Sequence, residues 1–280
     1  MLALSILLVF VISFFLGSIP WGIIISKYLY KTDIRKFGSG NIGTTNALRT
    51  LGKVGGGLVF LLDVGKGMLA GISALLLYSW FVSIDPGFVA IDPRPPVVGE
   101  PGVFAIESGR IGIFDIKQVI DWSTGEYARV NFVTREAQSL LATAACASIL
   151  GSVFSPWLKF KGGKGIATAA GVLFVAFGWL HTIIALALFA LLVIITRYVS
   201  VGSITAAASC LLLGISVYWG NVYAICMIAL AVSVMIWAHR GNIKRLRQGT
   251  ELKIGDKLAK KHREQTGDSL TKEHGEQPDG

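Results

Sequence analysis

Charge is scarce in this chain. Only 15% of its 280 residues are Asp, Glu, Lys or Arg, while 53% are hydrophobic. A soluble domain carries about 25% charged residues, so a globule bathed in water on all sides is excluded. Cysteine is scarcer still. Cys146, Cys210 and Cys226 all fall inside apolar runs, with no CxxC pair and no metal-ligand spacing. They read as small buried hydrophobes, which argues against a thiolate metal centre or a dithiol redox site. Acidic residues are outnumbered, 17 against 26 basic ones, for a net charge of +9. In so apolar a chain that excess speaks of membrane topology and lipid contact, and nucleic acid is not an expected partner. The first apolar segment lacks a basic start and a small-residue cleavage site, so it reads as a retained span rather than a signal peptide.

What is abundant is apolar sequence in runs near the length that crosses a hydrocarbon core. The fold class expected is an all-α polytopic integral membrane protein with about seven transmembrane helices. The spans fall at 3–26, 54–82, 137–156, 204–219 and 221–238, with 166–195 read as two short spans around a tight turn at 178–181. One long tilted helix is the alternative for 166–195. Prolines cluster at Pro86, Pro93, Pro95, Pro96 and Pro101, and the alternating segments 102–107, 110–116 and 127–133 follow. Turn-like Ser108-Gly109 and 123–125 separate them, which predicts a small β-rich insert over 83–136. From about Gly255 the tail is charged, apolar-poor and expected to be disordered. The chain thus divides into 1–82, 83–136, 137–254 and 255–280. Lysines and arginines concentrate in 27–53, 159–165, 197–203 and the tail. The positive-inside rule puts these four segments in the cytoplasm and the amino terminus and insert outside. They can then converge on one site.

The loop 38–49 is dense in hydrogen-bonding groups. Ser39, Asn41, Thr44, Thr45 and Asn46 lie among Gly38, Gly40 and Gly43, and Arg49 adds a donor fork suited to phosphate or carboxylate. This suits a small, anionic, hydroxyl-bearing ligand. In the run Lys161-Gly162-Gly163-Lys164-Gly165, glycine N–H groups, a helix start and two lysines suggest phosphate binding. It is not a Walker A loop, because no glycine lies five residues before a Gly-Lys-Ser/Thr. His239 and Asn242, three apart, share a helical face, and a histidine there could serve as general base or phosphate ligand. Ser200 and Ser203 are the small hydroxyls of their loop, and taken alone they read as helix caps. Asp63 and Lys66 share a face inside the second span, where charges must pair or face a cavity. His274 and Asp279 match an acyltransferase spacing, but in a polar tail the match is read as chance.

Several of these motifs occur together and in order: Gly17-Ser18-Ile19-Pro20, the 38–49 loop, Asp63-Val64-Gly65-Lys66-Gly67, 160–165, 196–203, 239–246 and Gly249-Thr250-Glu251. They resemble the bacterial acyl-phosphate-dependent glycerol-3-phosphate acyltransferases, the PlsY family, over residues 10–82 and 140–254. The resemblance implies a seven-span enzyme of the bacterial cytoplasmic membrane with its active site facing the cytoplasm. It implies transfer of a fatty acyl group from a long-chain acyl phosphate to the 1-position of glycerol 3-phosphate. The products are lysophosphatidate and phosphate, the first step of phospholipid synthesis. It further implies that Ser39 and Arg49 contact the glycerol phosphate and that Asn41 and Asn46 shape their loop. Lys161 and Lys164 would hold phosphate. Ser200 or Ser203 would bond substrate, and His239 and Asn242 would complete the pocket with Glu251 in support. Ser39, Lys164 and His239 are the catalytic candidates. Partners implied are the two substrates, membrane lipid and the soluble enzyme that makes acyl phosphate. Two departures stand out. Ser152 occupies a position where the family often has His, and the 83–136 insert is not part of the usual short chain.

An acyl phosphate is a mixed anhydride, already activated, so no cofactor, ATP site or metal is expected. No Ser-His-Asp or Cys-His arrangement is evident, which favours direct attack by the glycerol hydroxyl. His239 or a substrate phosphate oxygen would take the proton. A transporter of an organic phosphate is the main rival, suited by Asp63, Lys66 and an interrupted helix. Against it, the polar motifs gather on one face and no inverted repeat is visible.

Overall fold

The structure, a computed structural model, describes residues 1–84 and 134–254, and between them the backbone of three strands. The proline cluster, the tail from Gly255 and the pair His274 and Asp279 lie outside the described residues. In chain order the helices are α1 (Leu2–Ser18), α2 (Trp21–Tyr28), α3 (Thr44–Thr50) and α4 (Gly52–Ile84). Strands β1 (Val103–Ile111), β2 (Phe114–Asp121) and β3 (Glu126–Val133) follow. Then come α5 (Arg135–Val153), α6 (Ile166–Ala176), α7 (Gly178–Thr196), α8 (Val199–Val217), α9 (Val222–Ala238) and α10 (Arg240–Arg247).

Five helical segments are long and apolar enough to cross a membrane: Leu2–Tyr28, Gly52–Ile84, Arg135–Leu158, Gly178–Thr196 and Val199–Val217. A sixth is α9 taken with α10, a pair bent by 49°. At about 1.5 Å per residue, the 11 residues of α6 fall well short of a full span. Among the described residues, length and composition therefore give five or six crossings where about seven were expected. Residues 166–195 do form two helices. The break falls at Phe177 and Gly178, where a positive φ of 77° at the glycine closes α6 and opens α7.

The three strands form an antiparallel sheet in the order β1-β2-β3. Their register corrects the sequence reading in one place. Ser108 pairs with Lys117 and Gly109 with Ile116, so both lie inside β1 rather than in a turn. The reversal comes between Ile111 and Phe114, within the stretch 110–116 that alternation alone marked as one strand.

Apolar faces cannot hold helices together in lipid, so close backbone approach and internal hydrogen bonds must do so. α5 is the hub, packed against α1, α4, α6 and α9. It meets α1 at two glycines: a Cβ on Gly17 would strike the Ser148 carbonyl, and one on Gly151 would strike that of Phe14. Gly67 and Gly171 do the same between α4 and α6, against Thr168 and Val64. α9 is tied to α5 by polar contacts. Asn221 Nδ2 donates to Arg135 O at 3.0 Å and to Ser139 Oγ at 3.2 Å, and Thr143 Oγ1 lies 2.9 Å from the Tyr223 hydroxyl. Cys146 and Cys210 are buried as expected, but Cys226 is exposed on α9.

Candidate active site

The bundle holds a cavity of about 920 Å³, lined from α3, α4, α6, α7, α8 and the α9–α10 junction. Into it come Ser39, Asn41 and Arg49 from the first loop, Lys164 from the glycine-rich loop, Ser200 and Ser203 from α8, and His239 and Asn242 from the α9–α10 junction. The distant segments marked in the sequence thus meet in space. Two named residues are not in that lining. Lys161 is exposed outside it. Asn46 is buried beneath the loop, where Nδ2 donates to the carbonyls of Ile34 (3.1 Å), Phe37 (3.1 Å) and Asn41 (2.8 Å) and Oδ1 accepts from Ser39 N (2.8 Å). Its amide is consumed in holding the loop's shape, which leaves it little capacity for a ligand. Asn41 Oδ1 accepts from Gly43 N at 2.9 Å, an Asx turn that leads the chain into α3. α3 in turn carries Arg49 to the cavity.

The glycine-rich loop is built differently from its sequence reading. Gly162 N donates to Val153 O and Gly163 N to Ser152 O, each at 2.9 Å. These N–H groups cap the end of α5 and are not presented to a phosphate. Gly162 is required for close approach, since a Cβ there would strike the Ser152 carbonyl. The loop is anchored to the end of α1, where Ser155 Oγ donates to Ser18 O (2.6 Å) and Trp157 Nε1 to Ser18 Oγ (2.8 Å). What it offers the cavity is Lys164 and the start of α6. Burial, joined by the positive charges of Arg245 and Arg49, brings Lys164 down to about 8, although Glu251 pulls the other way.

Glu251 organises the far wall. Its Oε1 accepts from Ser200 Oγ at 2.5 Å and from Asn242 Nδ2 at 2.7 Å, and its Oε2 accepts from Arg245 Nε at 2.6 Å. Asn242 Nδ2 also reaches Ser200 Oγ at 2.6 Å. Burial alone would raise this carboxyl, but the three donors outweigh it and hold Glu251 below the usual range. Ser200 is thereby committed to the wall, and Ser203, one turn on, lines the cavity. His239 is buried, and its Nδ1 lies 2.8 Å from Met235 O. A carbonyl only accepts, so Nδ1 carries the proton, and Nε2 is the ring nitrogen left for a substrate.

Several contributors were not foreseen. Arg245 sits in a basic run with no signal to separate it from its neighbours. Glu251 was marked in the sequence, but the strap that holds it, residues 250–254 folded back, was not: Arg49 Nη2 donates to Leu252 O (3.2 Å), Arg197 Nη2 to Ile254 O (3.0 Å) and Ile254 N to Arg197 O (2.9 Å). Trp21 Nε1 and Thr44 Oγ1 are buried without a partner, on residues that line the cavity. Such orphaned groups are costly unless a ligand or water meets them. Asp63 and Lys66, which also line the cavity, pair at 2.7 Å, with Lys66 Nζ also donating to Ile19 O at 2.8 Å.

The sequence profile of the family described as Glycerol-3-phosphate acyltransferase matches residues 7–249. The chain belongs to that family. Among curated glycerol-3-phosphate acyltransferases, that of Lactiplantibacillus plantarum is 32% identical over 249 residues, covering 89% of this chain and 91% of its own. That of Listeria welshimeri is 32% identical over 253 residues, covering 90% and 98%. The crystal structure of PlsY (YgiH), an integral membrane glycerol 3-phosphate acyltransferase in its glycerol 3-phosphate form, superposes with a TM-score of 0.62 at 30% identity. It covers 90% of this chain and 96% of that one. A second PlsY structure, in the lysophosphatidic acid form, gives a TM-score of 0.60 at 29% identity. The chain is therefore an acyltransferase of the glycerol-3-phosphate acyltransferase family and an integral membrane protein.

Proposed function

We propose that this enzyme transfers a long-chain acyl group from acyl phosphate to the 1-position of glycerol 3-phosphate, releasing phosphate and lysophosphatidate. The observation that carries the reading is one cavity with two characters. Its polar end joins Ser39, Arg49, Lys164 and His239 from four separate segments, and it continues into apolar walls on α6, α7 and α8. A water-soluble phosphate ester and a fatty donor can both reach such a site. Arg49 takes the glycerol phosphate and Lys164 the phosphate of the donor. Ser39 and Ser203 orient hydroxyls, with the orphaned Trp21 and Thr44 groups as further donors. The glycerol oxygen attacks the acyl carbon, the C–O bond to phosphate breaks, and inorganic phosphate leaves. The proton passes to His239 Nε2 or to a phosphate oxygen. Lys164 and Arg49 stabilise the charge that grows on the oxyanion and the leaving group. With a mixed anhydride as donor, no cofactor is called for.

The positive-inside pattern supports a site in the cytoplasm of a bacterial inner membrane, with the sheet between α4 and α5 on the other side. It also supports counting α6 and α7 as the arms of a broken pair, for seven spans in all. A soluble acyl-phosphate-forming enzyme fits as a supplier of the donor. Purified protein supplied in parallel with acyl phosphate, acyl-CoA and acyl carrier protein is expected to make lysophosphatidate from acyl phosphate alone. Product from a thioester donor, or none from acyl phosphate, would refute the donor assignment. Burst kinetics or a trapped acyl-protein adduct would refute direct attack.

A further inference from the structure

The apolar half of the cavity runs between α6, α7 and α8. It leaves the polar loops past Ala207 and Cys210 of α8 and Phe189 and Ala185 of α7, and reaches Phe177, His181 and Thr182 at and just after the turn between α6 and α7. The starts of α6 and α8 lie together at the polar end, since Lys164 senses the Glu251 carboxylate that Ser200 bonds. Phe177, at the opposite end of α6, is therefore the far limit along that helix.

Its ring is held in place. Phe177 is 5% exposed and meets Tyr218 edge-on, with ring centroids 5.7 Å apart. Tyr218 is itself latched, its hydroxyl donating to Ala176 O at 2.9 Å. Gly214 backs the ring so closely that an added Cβ would lie 3.3 Å from Phe177 Cζ. A buried aromatic fixed on two sides cannot swing away from an incoming chain without breaking these contacts.

The depth of the groove follows from helix rise. The 11 residues of α6 advance about 16 Å at about 1.5 Å each. An extended hydrocarbon advances roughly 1.25 Å per carbon, from bonds of about 1.5 Å in a zigzag. Roughly 12 to 14 carbons beyond the carboxyl end then reach Phe177.

We propose that Phe177, latched by Tyr218, is the length stop of the acyl-binding groove and sets the longest acyl donor the enzyme uses well. The inference rests on the acyl-phosphate reading above and adds a specificity-determining residue to it. The test is competition among saturated acyl phosphates of about ten to about twenty carbons at fixed glycerol 3-phosphate, with kcat/KM read for each. The unsubstituted enzyme is expected to peak at about 13 to 15 carbons and to fall beyond. Phe177→Ala is expected to move the peak longer by about two carbons and to raise the long-to-short ratio roughly tenfold, as expected for about two buried methylenes. Ala207→Leu, narrowing the groove from the other wall, is expected to move the peak shorter. Tyr218→Phe, which removes only the latching hydroxyl, is expected to broaden it.

A profile that stays the same in Phe177→Ala while lysophosphatidate is still made overturns the length stop and leaves the acyltransferase reading standing. If Phe177→Ala is not recovered folded, an unchanged profile in both Ala207→Leu and Tyr218→Phe overturns it equally. Failure of the unsubstituted protein to use any acyl phosphate strikes instead at the underlying reading.

Discussion

Arg49 joins the proposed recognition of substrate to architecture. Its guanidinium lines the cavity and also donates to Leu252 O in the strap. Charge-assisted hydrogen bonds contribute about 1.5–3 kcal/mol each. Arg49→Ala is therefore expected to raise the Michaelis constant for glycerol 3-phosphate roughly 10- to 100-fold. Arg49→Lys is expected to recover only part of this, because a point charge lacks the fork. An unchanged constant in Arg49→Ala would remove the residue from the pocket. Lys164 gives a pH signature. With burial bringing it down to about 8, the ammonium is largely charged at neutral pH and loses its proton as pH rises through about 8. In the free enzyme kcat/KM should fall above that point, and Lys164→Arg should shift the fall to higher pH. A profile flat to pH 10 would show that this charge is not used. Asn46 makes a different prediction, since it touches the loop and not the cavity. Asn46→Ala strands the Asn41 carbonyl and the Ser39 N–H and takes one of two donors from the Ile34 and Phe37 carbonyls, at a cost of about 1–3 kcal/mol. Its first effect should be a lower midpoint in thermal denaturation.

At the scale of elements, glycine does two jobs that the sequence shows as one. Gly67 and Gly171 set the distance between α4 and α6, and the start of α6 carries the Lys164 loop. Gly171→Val is expected to spread that crossing, lowering thermal stability and activity together. Gly57→Ala and Gly65→Ala, in the same helix α4 but with open space around them, should be neutral or stabilising by up to about 1 kcal/mol. Heat stability in detergent distinguishes the two classes. The contrast also marks what was legible beforehand. Apolar run length located the helices, and the interruption at 178–181 located the turn between α6 and α7. Periodicity placed strands in the insert but put one reversal at Ser108-Gly109, because alternation shows a strand's faces and not where it folds back. The glycines at 162 and 163 looked like open donors, and only the tertiary placement of the α5 carbonyls reveals that they are spent.

For the molecule as a whole, the set of polar segments was legible and their detailed division of labour was not. Ser39, Arg49, Lys164 and His239 carry chemistry that stands out in an apolar chain. Glu251 was marked beforehand, but Arg245 as its donor and the folding of 250–254 back onto Arg49 and Arg197 became visible only in the structure. The shared cavity makes a prediction on sidedness. In a background with Cys226 replaced by Ser, cysteines introduced at the exposed positions Ser39 and Lys161 should react with an impermeant maleimide from one side of sealed vesicles only, and from the same side. Labelling from opposite sides would sink the proposed topology.

The hub position of α5 has a consequence for how the protein is made. Ribosomes deliver α5 nearly seventy residues before Asn221, counted from Val153 to the start of α9. Until then the Ser139 and Thr143 hydroxyls bond only within α5, to Arg135 O and Ser139 O, and the links to Asn221 and Tyr223 that tie α5 to α9 are missing. A nascent chain halted after α8 should consequently be short-lived, cleared by quality-control proteases, while continued synthesis lets α9 seal the bundle against α5.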